Sequence, residues 1–124
     1  MNLVDTSGWL EYFAGSINAK HYEKAIVDTE NLLVPAIVLY EVFKKVLADF
    51  DENKALVAVG HMKAGTIAGI DEDIAVNAAK ISFEKKLPMA DSLIYATALK
   101  YNATIYTQDT HFEKLKFVTY FKKN

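Results

Sequence analysis

Four acidic residues stand where an acid needs explaining: Asp5, Glu41, Asp91 and Asp109. Glu41 is the most telling, because it is the only charged residue between Leu32 and Phe43 in an otherwise apolar run. A carboxylate buried without a partner costs several kcal/mol or shifts its pKa until it is neutral, so a lone glutamate there must reach water, pair, or meet a metal. The chain contains no arginine to pair it. Asp5 and Asp109 each follow a short apolar segment, and Asp91 lies in the first turn of a helix, where the macrodipole favours an anion.

Taken singly, each acid also has an ordinary reading. Asp5 and Asp91 suit a helix N-terminus, Asp109 in Thr107-Gln108-Asp109-Thr110 suits a turn, and Glu41 could lie at a solvent-facing edge. If the four converge, they repel one another in a low-dielectric cleft unless a cation screens them. Convergence therefore implies metal. Hard oxygen ligands without cysteine favour Mg²⁺ or Mn²⁺ over zinc, and such ions keep waters and take further ligands from substrate phosphate. A phosphodiester is the natural substrate, with a metal-activated water as nucleophile.

The elements that must position these acids follow from pattern. Leu3-Val4 reads as a brief strand, and Asp5-Thr6-Ser7 caps a helix from about Gly8 to Ala14, closed by Gly15. A second helix is expected over 18–28 with Tyr22, Ala25 and Ile26 inward. Leu32 to Val34 is a strand, and Pro35 suits the first position of a helix running to about Ala48. Asp51 caps a helix over 52–62, a strand is expected near 66–70, and Asp71 caps a helix carrying Ile74, Ala75, Ala78, Ile81 and Ser82. The stretch from Pro88 to Asn102 reads as a helix with Leu93, Ile94, Ala96, Ala98 and Leu99 recurring. Strands near 103–106 and 117–119 close the chain. Short strands alternating with helices predict one domain over residues 1–124, an α/β fold built as a three-layer α/β/α sandwich with a short, mostly parallel sheet. Ligands in such sheets bind beyond the carboxyl ends of the strands, where Asp5 and Asp109 fall.

Composition narrows the function classes. The 124 residues include no cysteine, which excludes disulfides and thiolate chemistry and fits a reducing cytoplasm. No run suits a signal peptide or a membrane span, so a cytoplasmic protein is expected. A net charge of −2 gives no electrostatic case for nucleic acid from composition alone. There is no glycine-rich phosphate loop and no defensible Ser/His/Asp arrangement. His21, His61 and His111 are scattered and read as surface or capping residues. Trp9, Tyr12 and Phe13 read as core or dimer surface, and Lys114 and Lys116 as ordinary surface charge.

Taken together, these pieces resemble a PIN-domain ribonuclease, more closely the VapC-type toxins of toxin–antitoxin pairs. The resemblance covers nearly the whole chain. It rests on Asp5-Thr6-Ser7 with Trp9 and Phe13 following, on Glu41 in the helix after Pro35, on Ala90-Asp91-Ser92-Leu93-Ile94 with Ala96-Thr97-Ala98, and on Thr107-Gln108-Asp109-Thr110-His111-Phe112. It implies that Asp5, Glu41, Asp91 and Asp109 hold Mg²⁺ or Mn²⁺, with Thr107 and, less directly, Thr6 in support. It further implies an RNA substrate, a homodimer and a cognate antitoxin. An RNA-processing nuclease with no toxin role, and a metal- or RNA-binding module without turnover, remain alternatives at the level of sequence.

Overall fold

The computed structural model describes residues 1–123. Among these residues five strands, β1 (Asn2–Val4), β2 (Leu32–Pro35), β3 (Thr66–Ala68), β4 (Thr104–Thr107) and β5 (Val118–Tyr120), are interleaved with six α-helices. The helices are α1 (Thr6–Ala14), α2 (Lys20–Val27), α3 (Ala36–Asp49), α4 (Glu52–Met62), α5 (Glu72–Lys85) and α6 (Met89–Lys100). All strand pairings are parallel, in the order β3-β2-β1-β4-β5, so β1 is central. Leu3 registers with Leu33 on one side and Ile105 on the other, and all three are fully buried. That is the apolar run expected of a parallel strand covered on both faces. Parallel pairing also puts every strand's carboxyl end on one rim, so the residues just past Val4, Pro35 and Thr107 are neighbours in space.

The helix starts follow the capping chemistry. Asp5, Asp51 and Asp71 accept from the amides of Gly8, Lys54 and Ile74 at 3.0, 2.8 and 2.9 Å. Gly15, at φ 63°, closes α1 in the left-handed conformation. Packing behind the rim is dense: Trp9 is fully buried and stacks on Phe13 with centroids 5.6 Å apart. A Cβ at Gly8 would sit 2.6 Å from Val4 Cγ1 and 2.7 Å from the Tyr22 ring, so only glycine lets α1 approach that close. Ile74, Ala78 and Ala96 lock α5 onto α6, and Lys100 reaches back to pair with Asp71. Ser82 Oγ donates to the Leu87 carbonyl at 2.7 Å, which fixes the turn from which α6 begins.

The structure departs from the sequence pattern at several boundaries, each for a local reason. Pro35 is not the first helical residue; at ψ 142° it is still extended, pairs with Ala68 and caps α3. β3 stops at Ala68, not Ile70, because β2 ends at Pro35 and offers nothing further to pair with. α2 starts at Lys20, since the carbonyls of Ser16 and Asn18 accept from the amides three residues on, Ala19 and His21, at 3.0 Å each, which makes a turn and not an α-helix. The last strand begins at Val118 because Phe117 adopts φ 65°. Short 3₁₀ turns at Thr29–Asn31 and Thr110–Phe112 were not signalled by pattern. Ala75 and Leu99, expected on buried stripes, are exposed. Among the described residues no helix is long and apolar enough to cross a membrane.

Candidate active site

Asp5 leaves the central strand and caps α1 in the same step, so its carboxylate is held inside the rim at 2% exposure. Its Oδ1 accepts from Ser7 Oγ at 2.7 Å and from the Gly8 amide, and its Oδ2 accepts from Thr107 Oγ1 at 2.6 Å. Burial outweighs these bonds. It raises the Asp5 pKa from 3.8 to about 6, with the bonds from Thr107, Ser7 and Gly8 acting the other way and the charge of Asp109 adding to the rise. The helix-cap reading and the site reading of Asp5 are thus compatible in one geometry.

Thr107, fully buried at the end of β4, serves two acids. While its hydroxyl donates to Asp5, the Asp109 amide donates to the same oxygen at 2.9 Å. Between them Gln108 turns inward, its Oε1 accepting from Asn18 Nδ2 at 3.0 Å and Tyr22 hydroxyl at 3.2 Å. Asp109 Oδ1 then accepts from the His111 amide at 2.9 Å and opens the 3₁₀ turn, which the fully buried Phe112 anchors in the core.

Asp91 occupies the first turn of α6 with a largely buried side chain, 14% exposed. Burial raises its pKa; His111 opposes this, and the charges of Asp109 and Glu41 reinforce it. Glu41 lies half-buried in the second turn of α3 and accepts from Thr6 Oγ1 at 2.6 Å. Its place in the apolar run is therefore explained by a polar partner on α1, across 35 residues of sequence.

The four acids form an electrostatic chain: Asp5 feels Asp109, and Asp91 feels both Asp109 and Glu41. The tightest grouping is narrower and includes a residue the sequence pattern left aside. Ligand atoms of Asp91, Asp109 and His111 all lie within 4.8 Å of one another, while Asp5 and Glu41 fall outside that trio. His111 Nδ1 is 2.7 Å from Asp91 Oδ2 and 3.4 Å from Asp109 Oδ1. Its only sequence signal was its place two residues after Asp109. Among the described residues no lysine forms an ion pair with Asp5, Glu41, Asp91 or Asp109. Oxygen donors in excess of protein cations, at a rim open to solvent, suit a divalent cation. His21 and His61 lie elsewhere, stacked on Phe121 at 4.5 Å and tilted against Phe13 at 6.2 Å.

No curated protein matches the chain by sequence. Its fold is similar to that of a chain in a toxin–antitoxin complex from Klebsiella pneumoniae, with a TM-score of 0.79 and 22% identity over 96% of each chain. It is also similar to a chain of DNA-bound VapBC from Salmonella typhimurium, with a TM-score of 0.76, 16% identity and 98% of each chain covered. A third likeness is to VapC20 of Mycobacterium tuberculosis, a sarcin–ricin loop cleaving toxin, with a TM-score of 0.78 and 17% identity over 95% of this chain and 97% of that one. At such identities these likenesses show a shared fold. The PIN domain family model matches residues 3–118, nearly the whole chain, and the protein therefore belongs to the PIN domain family.

Proposed function

We propose that residues 1–124 form a single nuclease domain that cleaves RNA internally with Mg²⁺ or Mn²⁺, as the toxin of a type II toxin–antitoxin pair. The observation that carries this reading is the run of four carboxylates at the rim of the parallel sheet, with Asp5 facing the charge of Asp109, Asp91 facing those of Asp109 and Glu41, and no lysine paired with any of the four among the described residues. Such an arrangement is costly in the absence of a cation and useful in its presence. In this reading Asp5, Glu41, Asp91 and Asp109 hold the ion, which when bound neutralises phosphate charge and acidifies water.

The chain's own residues then act by position. Thr107 fixes the orientation of the Asp5 carboxylate and, through the Asp109 amide, the start of the turn that carries Asp109. Thr6 does the same for Glu41 from α1. The dipole at the start of α6 favours the ionised form of Asp91, against the burial that disfavours it. Together they present an anionic rim that accepts a phosphodiester only with a cation between. The toxin assignment, and with it an antitoxin partner, is supported by the fold shared with the Klebsiella and Salmonella complexes; a homodimer and a cytoplasmic site of action belong to the same proposal. An RNA substrate is supported by the fold shared with the sarcin–ricin loop cleaving toxin. The test is incubation of deproteinised total cellular RNA with the pure protein. Discrete new ends with Mn²⁺ or Mg²⁺ and none in EDTA are expected; intact RNA under every condition, from folded protein, overturns the nuclease reading.

A further inference from the structure

The geometry points to His111 as a direct nitrogen ligand of the divalent cation, beside Asp91 and Asp109, and so as the residue that makes this site prefer Mn²⁺ to Mg²⁺. The inference rests on the proposed metal-dependent nuclease reading and adds a donor of a different kind to the four carboxylates.

Three features support it. The first is spacing. On an octahedral ion with bonds of ~2.1 Å, adjacent ligand atoms stand ~3 Å apart. His111 Nδ1 lies 2.7 Å from Asp91 Oδ2 and 3.4 Å from Asp109 Oδ1, on either side of that distance. The second is anchorage. The His111 backbone is tied to Asp109 Oδ1 through its own amide at 2.9 Å, and the next residue, Phe112, is fully buried. The ring is therefore delivered to the carboxylates by a pinned turn, even though its side chain is 53% exposed. The third is isolation. The other two histidines are engaged with Phe121 and Phe13, so imidazole reaches the acids from this position alone among the described residues.

The consequence for selectivity follows from donor chemistry. Mg²⁺ binds through oxygen and holds its waters, whereas a transition ion gains from an imidazole nitrogen in a mixed set. Removing the ring should weaken Mn²⁺ much more than Mg²⁺. A ring that merely orients Asp91 by hydrogen bonding would leave no nitrogen on the ion and would affect both cations alike.

Pulsed electron paramagnetic resonance on the full chain loaded with Mn²⁺, together with calorimetric titrations of Mn²⁺ and Mg²⁺, separates these cases. For the wild type a nitrogen coupling to Mn²⁺ is expected. In His111→Ala the coupling should vanish and Mn²⁺ affinity should fall about tenfold or more, a loss of the size that perturbing a metal ligand's surroundings already produces. His111→Asn supplies an oxygen in its place and should keep Mg²⁺ binding while still losing the nitrogen signal, which shows that the site is folded. Mn²⁺ bound by the wild type without nitrogen coupling, with RNA cleavage intact, overturns the role of His111 and leaves the nuclease reading standing. Absence of any Mn²⁺ binding by the wild type overturns both.

Discussion

Thr107 Oγ1 donates to Asp5 Oδ2 at 2.6 Å, joining the end of β4 to the end of β1 across 102 residues of chain. The same oxygen receives the Asp109 amide, so one buried hydroxyl fixes the relation of two candidate ligands. Thr107→Val keeps the shape and removes both bonds. Hydrogen bonds to a charged group contribute about 1.5–3 kcal/mol, so a loss of that order is expected in urea unfolding at pH 8, where Asp5 is ionised. The loss should shrink at pH 4.5, and Thr107→Ser should restore most of it. An equal loss at both pH values would mean that Thr107 acts by packing.

Asp5 has its own pH signature. Its folded-state pKa of about 6 lies above the ordinary 3.8, so between these values the folded protein binds the proton that the unfolded chain has released. Stability from this group is full below about pH 4 and is lost as pH rises through about 6, by an amount of about 3 kcal/mol. In EDTA, Asp5→Asn should therefore gain on the wild type by roughly that much between pH 4 and pH 7.5. Urea midpoints at the two pH values measure the difference, and a constant offset contradicts the assignment.

Metal linkage gives the opposite sign. Without cation, Asp91→Asn relieves a carboxylate disfavoured by burial and by Asp109 and Glu41, and is expected to be at least as stable as the wild type at pH 7. With Mn²⁺ at a hundredfold excess over its dissociation constant, the wild type should gain about 2.7 kcal/mol and the variant nothing comparable. Thermal melts with and without Mn²⁺ read both effects, and equal Mn²⁺ shifts in the two proteins would remove Asp91 from the site.

Gly8 tests the packing that carries the rim. Gly8→Ala places a methyl against Val4 and Tyr22, and overpacking of this kind costs about 1–3 kcal/mol. Because the Tyr22 hydroxyl holds Gln108 next to Asp109, the displacement should also lower RNA cleavage beyond the stability loss. A variant with normal stability and normal cleavage would show that α1 can move away freely.

Much of this was legible in the residues. Glu41 stood out because a charge inside an apolar run needs a partner, and Thr6 supplies one. Asp5 and Asp109 were marked by their places after short apolar strands, and parallel pairing turns that linear fact into a shared rim. What pattern could not carry was distance between segments. His111 meets Asp91 across 20 residues because the 3₁₀ turn after Asp109 folds toward the start of α6, and neither periodicity nor composition encodes that approach. The same holds for Asn18, which bonds to Gln108 across 90 residues. Strand ends erred where the partner strand, not the local sequence, sets the limit, as at Ala68 opposite Pro35.

That RNA cleavage depends on a cation held by the acid cluster is checked by mapping new RNA ends after incubation with the wild type and with folded Asp91→Asn, in Mn²⁺, Mg²⁺ and EDTA. The expected result is a small set of discrete ends from the wild type with cation, absent in EDTA and absent in the variant. Ends of equal number and position from Asp91→Asn, or from the wild type in EDTA, would contradict it.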